Sequence, residues 1–253
     1  MPIELTPSFQ DLTFMTPLSE DHADRLVKFA SRDIGSVVDV GCGWAELLLR
    51  VVARAPEAHG VGIDLDQTAI EHGRSSAALR HLDSRVDLRV GDAAETLGDR
   101  VDAAICIGAS QIWGAPVEQA LPLDYRAALR ALRSLLTDGG RLVYGEAVWS
   151  REPTPAATAA LSGRDDEFIA LPDVLDIAVS GGFRPVHVFE ASQDEWDEFE
   201  SGYSARYATW LSRHPCDHPD AEAVRQRADR QRQAYFRGYR GVLGMAYFGL
   251  IAV

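Results

Sequence analysis

Asp39-Val-Gly-Cys-Gly-Trp-Ala-Glu46 follows an apolar run and precedes a helical pattern. In that setting Gly41 and Gly43 let the backbone turn tightly and approach a ligand with no Cβ in the way. Asp64 comes 23 residues after Gly41, at the close of a second apolar run, where a carboxylate can accept hydrogen bonds from both hydroxyls of a ribose. Asp92, in Val-Gly-Asp-Ala-Ala at 90–94, closes a third run and can accept from an adenine amino group; alternatively it is an ordinary N-cap serving only the chain. Glycine turn, acid and second acid, in this order at strand ends, call for a nucleoside-bearing ligand.

A second set of residues follows the fourth and fifth apolar runs. Ligands of open parallel sheets sit beyond the carboxyl ends of the strands, so Ser110, Gln111 and Trp113 should border the reacting centre, and Glu146 and Trp149 should face the same cavity. Glu146 is the candidate proton acceptor or polar anchor, with Gln111 as the second catalytic candidate; a salt-bridged structural carboxylate is the alternative for Glu146. Trp196, Phe199, Tyr203 and Tyr207 recur at intervals of three or four and share one helix face. That face either packs as core or, with Trp149, forms an aromatic wall around a second substrate; the sequence analysis expects at least one of Tyr203 and Tyr207 to line the cavity. His214-Pro-Cys-Asp-His218 has metal-ligand residue types but too compressed a spacing for a structural zinc site, and reads as a polar loop between helices. His22 reads as a surface or capping histidine.

These side chains need elements to hold them. Residues 37–41, 60–64, 86–90, 102–107 and 141–145 are short β-rich or apolar runs alternating with helical periodicity, which predicts parallel strands joined by helices. One helix should begin after Gly43, bury Leu47, Leu48, Val51 and Val52, and stop at Pro56; others are expected over 67–79 and 123–136. The last of these should end on Asp-Gly-Gly at 138–140, with glycine as a left-handed cap. Upstream, Ser19 should cap an amphipathic helix over 20–31 with Ala23, Leu26, Val27 and Ala30 inward. Downstream come a Pro/Ala/Thr-rich crossover at 151–172, a helix at 173–180, a sixth strand from 181, aromatic-rich helices to 240 and a seventh strand at 242–253. The expected organisation is an N-terminal helical segment (1–34) covering the ligand site, a core (35–191), a helical aromatic cap (192–240) inserted between strands six and seven, and a final core strand (241–253). The fold class is α/β: a Rossmann-like, seven-stranded, mostly parallel sheet with helices on both faces.

Composition narrows the function. A formal charge of −13 repels phosphate backbones, and the cluster 225–232 interleaves its arginines with Asp and Gln, so nucleic acid is not the expected partner. No apolar run approaches the length of a bilayer span and no export signal heads the chain. The three cysteines, Cys42, Cys106 and Cys216, are odd in number and far apart. A cytoplasmic protein without a membrane partner is expected; a homodimer is compatible with the sequence.

The glycine loop is GxGxA rather than the full GxGxxG that seats a pyrophosphate, and Asp39 precedes it. S-adenosylmethionine (SAM) has no phosphate but carries an ammonium and a sulfonium, which suit an acidic site. Over residues 35–150 the chain resembles the class I SAM-dependent methyltransferases. The resemblance implies SAM as cofactor, assigns the glycine loop to Asp39, Gly41, Cys42 and Gly43, the ribose acid to Asp64, the adenine contacts to Asp92 and Ala93, and packing on the adenine face to Leu65; Ile107 completes the set. Ala45 stands where the class has a third glycine, and Gln111 where an aromatic or histidine is expected. Further likeness, in Cys106–Gly114, Gly145–Trp149, Phe168–Pro172, Asp194–Glu200 and the terminal Leu243–Ile251, is to a family of uncharacterised bacterial methyltransferases; it supports the fold and the methyl donor and says little about the acceptor, which is expected to be a small molecule. Two other readings are a non-catalytic SAM-binding sensor or partner subunit, and a nicotinamide-dependent oxidoreductase. The oxidoreductase is disfavoured by the short glycine motif and the lack of a Tyr-x-x-x-Lys pair.

Overall fold

Seven strands form one sheet in the computed structural model, which describes residues 3–96, 98–114 and 121–253. Along the chain these are α1 (Glu20–Ala30), β1 (Ser36–Val40), α2 (Glu46–Arg54), β2 (His59–Asp64), α3 (Gln67–Leu79), β3 (Val86–Val90), α4 (Ala93–Thr96) and β4 (Val101–Ile107). There follow α5 (Tyr125–Leu135), β5 (Leu136–Trp149), α6 (Pro155–Ala160), α7 (Leu171–Ser180), β6 (Phe183–Glu190), α8 (Gln193–Arg213), α9 (Ala221–Gln233) and β7 (Leu243–Ala252). The strand order is β3-β2-β1-β4-β5-β7-β6. β1 to β5 pair in parallel, and β7 runs antiparallel to both its neighbours.

Alternation along the central strands sends side chains to two separate cores. Val37, Ala103 and Ile105 join the core under α1, α2 and α3, while Val38, Val40, Ala104 and Cys106 join the one under α5 and α7. The helices form where the apolar stripes require them. α1 is capped by the Ser19 side chain, which accepts from the His22 amide, and α3 by Asp66, which accepts from Thr68 and Ala69. The chain leaves β1 toward β2 on one side, whereas β4 lies on the other, so the connections part between β1 and β4 and open a crevice at their carboxyl ends.

One expected cap is a different device. α5 ends at Leu135, and Leu136 is already extended, with φ −95° and ψ 143°. The register between β4 and β5 jumps from Val101↔Leu136 to Ala103↔Arg141. Asp138-Gly-Gly140 therefore fills an excursion inside β5, where Gly139 takes φ +79°. The glycines permit a bulge rather than closing the helix.

Between β6 and β7, α8 starts from a full capping box in which Ser192 and Glu195 satisfy each other's backbone amides. α9 carries exposed intrahelical pairs, Arg225 with Glu222 and Arg232 with Asp229, and runs into a π-helical turn at Ala234–Tyr239. Among the described residues, no helix is long and apolar enough to cross a membrane.

Candidate active site

The turn after β1 brings the backbone against the next loop. Gly41 has φ +69°, and a Cβ there would come within 2.5 Å of the Ala109 methyl beyond β4. Gly43, at φ +53°, would point a Cβ into open space on the cleft side. The Asp64 carboxylate closes the turn from β2 by accepting from the Gly43 amide at 2.8 Å and the Asp66 amide at 2.9 Å. The third position of the motif is Ala45, held at φ +62° as it enters α2, a left-handed conformation that disfavours a Cβ.

These loops floor a cleft of about 510 Å³. Asp39, Cys42, Leu65, Asp92, Ala93 and Ile107 border it together with Gly41, Gly43 and Asp64. Asp39 is 4% exposed, and no hydrogen bond from the described residues reaches its carboxylate. Burial, and secondarily the charge of Asp64, pushes its carboxyl up to about 8. The Cys42 thiol is pushed far above the ordinary thiol range by burial and then by Asp39 and Asp64. Asp92 also serves the chain, accepting from the Ala94 amide at 2.8 Å. Leu65 is 75% exposed although apolar, and it lines the cleft beside Asp64.

At the other end of the cleft stands Glu146 on β5, 4% exposed. Its carboxylate accepts from the Ser110 amide at 3.1 Å and the Ala147 amide at 2.9 Å. Burial holds its carboxyl above the usual glutamate range, and these hydrogen bonds oppose that shift only in part. Ser110 itself is fully buried, with its hydroxyl 2.7 Å from that of Tyr144. It stands behind Glu146 rather than on the cleft wall. Gln111 does line the cleft, its side-chain amide donating to the Gly108 carbonyl at 3.3 Å.

Of the expected aromatic face, Trp196 and Phe199 line the cleft, whereas Trp149, Tyr203 and Tyr207 lie elsewhere. Trp113 packs on the α5 core. Trp149 is buried edge-on to Phe168 and donates its indole N–H to the Asp165 carbonyl at 2.8 Å. Tyr203 lies 4.3 Å beneath the Arg206 guanidinium, and Tyr207 is buried in a satellite core with Trp210 and Val224. All four helical aromatics share a stripe, but at 1.5 Å per residue Tyr203 stands about 10 Å farther along the axis than Trp196, past the cleft.

Sequence reasoning passed over several lining residues. Phe14, Met15, Thr16 and Pro17, ahead of α1, form a strap on the cleft, whereas no residue of α1 borders it. Trp44 donates to the Thr13 carbonyl at 2.8 Å, Phe9 stacks on His72 at 3.8 Å, and the Tyr247 hydroxyl donates to the Pro17 carbonyl at 2.9 Å. Thr16 adds a 2.7 Å hydrogen bond to the same tyrosine. Met245 completes the far wall beside Phe199. The strap has no hydrophobic periodicity to reveal it; its one local signal is an apolar Phe-Met-Thr-Pro run just before the Ser19 cap. His22, read as a surface or capping residue, joins α1 to α8 through Nδ1 to Glu195 at 2.7 Å and stacks on Phe189. His214 and His218 pack around the Trp210 ring.

Residues 38–142 match a family model described as a methyltransferase domain. YjhP of Escherichia coli K12 is 27% identical over 219 residues, covering 85% of this chain and 84% of its own. Its X-ray structure aligns with a TM-score of 0.81 over 97% of this chain and 98% of YjhP. SAM-dependent methyltransferases of Geobacter sulfurreducens and Thiobacillus denitrificans, both crystallised with S-adenosylhomocysteine (SAH), are 25% and 27% identical with TM-scores of 0.82 and 0.80. The first alignment covers 97% of this chain and 96% of that one, the second 99% and 100%. Over residues 38–142 the chain carries a methyltransferase domain, and its function is that of a SAM-dependent methyltransferase.

The cleft of this methyltransferase fits the methyl donor on its own chemistry. Six carboxylates line it, those of Asp39, Glu46, Asp64, Asp66, Asp92 and Glu146, and among the described residues no Lys, Arg or His does. A pyrophosphate would find no cation in this lining, whereas a ligand with an ammonium and a sulfonium meets groups of complementary charge.

Proposed function

We propose that this methyltransferase holds SAM along the ends of β1 to β4 and methylates a small molecule bound between Glu146, the strap and α8. The observation that carries this reading is the Asp39 carboxylate, buried on the cleft wall and without a hydrogen-bond partner among the described residues. A buried carboxyl without a partner is costly to ionise, so a cationic group is the ligand it is built to meet. In this reading Asp64 accepts from the ribose hydroxyls, Asp92 and Ala93 meet the adenine edge, Leu65 covers its face, and Cys42 and Ile107 border the amino-acid end. When bound, SAM supplies an electrophilic methyl.

Glu146 then takes the proton of the acceptor. Burial raises its proton affinity above that of an ordinary glutamate, and the Ser110 and Ala147 amides fix its orientation. Gln111 borders the same end as a polar contact. The strap (14–17) and the 192–240 helices exclude water and limit the acceptor's freedom, which favours in-line displacement. The reducing cytoplasm suits the three free cysteines. Ser110, Trp113, Trp149, Tyr203 and Tyr207 support this wall from behind or from farther along α8.

Calorimetric titration of the purified protein with SAM and SAH tests the donor site, with micromolar binding expected; no heat and no thermal shift with either would overturn it. Incubation with isotopically labelled methyl donor and an extract of the source cells tests turnover. Label entering a small molecule is expected, and donor binding with no label transferred would favour a sensor.

A further inference from the structure

Trp196 carries a donor that no described residue accepts. The residue is 9% exposed and lines the cleft, and its indole N–H, buried from solvent, has no hydrogen-bond partner among the described residues. Elsewhere the fold satisfies this group: Trp44 donates to the Thr13 carbonyl and Trp149 to the Asp165 carbonyl, each at 2.8 Å. A buried donor left open on the wall of a ligand cleft is a place for an acceptor atom of the ligand.

The surroundings say what kind of molecule brings that atom. Phe14, Leu47, Phe199, Ala147 and Met245 supply apolar wall to the same cleft, with Phe199 edge-on to the Trp196 ring at 6.2 Å and 83°. A flat, largely apolar body fits such a wall. The polar lining is acidic and, among the described residues, contains no cation, so a phosphate or carboxylate on the acceptor would be desolvated against negative charge. A protonated amine would suit the acids but has no lone pair for the indole N–H. An uncharged heteroaromatic satisfies both demands.

Resting on the methyltransferase reading of the cleft, we infer that the methyl acceptor is an uncharged hydroxylated heteroaromatic whose ring nitrogen or carbonyl oxygen accepts the Trp196 N–H and whose hydroxyl faces Glu146. Transfer then breaks the sulfur–methyl bond, forms an oxygen–methyl bond and leaves the hydroxyl proton on the Glu146 carboxylate, while the sulfonium becomes a neutral thioether.

The test uses the SAH-loaded full chain and three matched probes: a hydroxyquinoline, the naphthol with C–H in place of the ring nitrogen, and the corresponding naphthyl phosphate. Binding is read by calorimetry at a pH where the ring nitrogen is unprotonated. The hydroxyquinoline should bind roughly three- to tenfold more tightly than the naphthol, as one net hydrogen bond provides, and the phosphate more weakly than either. Trp196→Phe keeps the ring and removes the N–H, so it should bring hydroxyquinoline and naphthol level without changing SAH affinity. Equal binding of the two in the wild type, a preference that survives Trp196→Phe, a phosphate that binds as well, or no probe binding to protein that holds SAH would each overturn the inference. Loss of SAH affinity in Trp196→Phe would make the residue structural and overturn it as well. Failure of the wild type to bind SAH at all would instead overturn the donor reading.

Discussion

Asp39 makes the stability of the ligand-free protein depend on pH in an unusual direction. Its carboxyl is raised to about 8 by burial and then by Asp64, against an unfolded value of about 4. Between these values the folded state holds more protons than the unfolded one, so this group's contribution to stability is full below the unfolded value and falls as pH rises toward about 8. The melting temperature of the ligand-free protein should therefore fall across that window, and Asp39→Asn should flatten the slope. Asp64→Asn should weaken SAH binding by about 1.5–3 kcal/mol, through lost charge-assisted hydrogen bonds, in calorimetry. Ala45 is a local conflict: its left-handed backbone costs about 1–2 kcal/mol, more than the roughly 0.8 kcal/mol gained by burying its methyl. Ala45→Gly should raise stability by up to about 1 kcal/mol in denaturant unfolding.

At the scale of elements, α8 divides its aromatic stripe between two tasks. Trp196 and Phe199 face the cleft, and farther along Tyr207 packs with Trp210, Ala221 and Val224. Tyr207→Ala should cost about 3–5 kcal/mol of stability while SAH affinity, measured on the folded fraction, stays unchanged. The three-and-four spacing identified the shared face, but what the face meets depends on where the helix sits over the sheet, which no local pattern records. The glycine loop was legible for the opposite reason. Strand, turn, helix and the acids Asp64 and Asp92 follow from neighbouring residues, and α3 spans the very residues that its periodicity marks. The strap could not be read this way, because Trp44 and Tyr247 hold it from over 30 and over 200 residues away. Asp138-Gly-Gly140 fits a helix cap and a strand bulge equally well, and only the β4 register decides.

Across the whole molecule, the acidic surface and cleft form one field, so ligands of negative charge are disfavoured well before contact. The sheet adds a constraint of another kind. β5 and β6 do not pair with each other; each pairs with β7, whose residues come after both in the chain. A chain ending at residue 241 would leave β5 with an open, apolar edge and β6 detached, and should be recovered as aggregate rather than as a folded monomer in size-exclusion chromatography. During synthesis the same order of events applies. The ribosome delivers every cleft-lining loop of β1 to β4 long before it delivers 243–252, so a nascent chain has these loops made while the sheet still waits, edge exposed, for its sixth position to be filled. Completion of the sheet, and with it the anchoring of the strap by Tyr247, is a late event in translation, and slowing translation just before codon 243 would prolong the interval in which a chaperone must guard that edge.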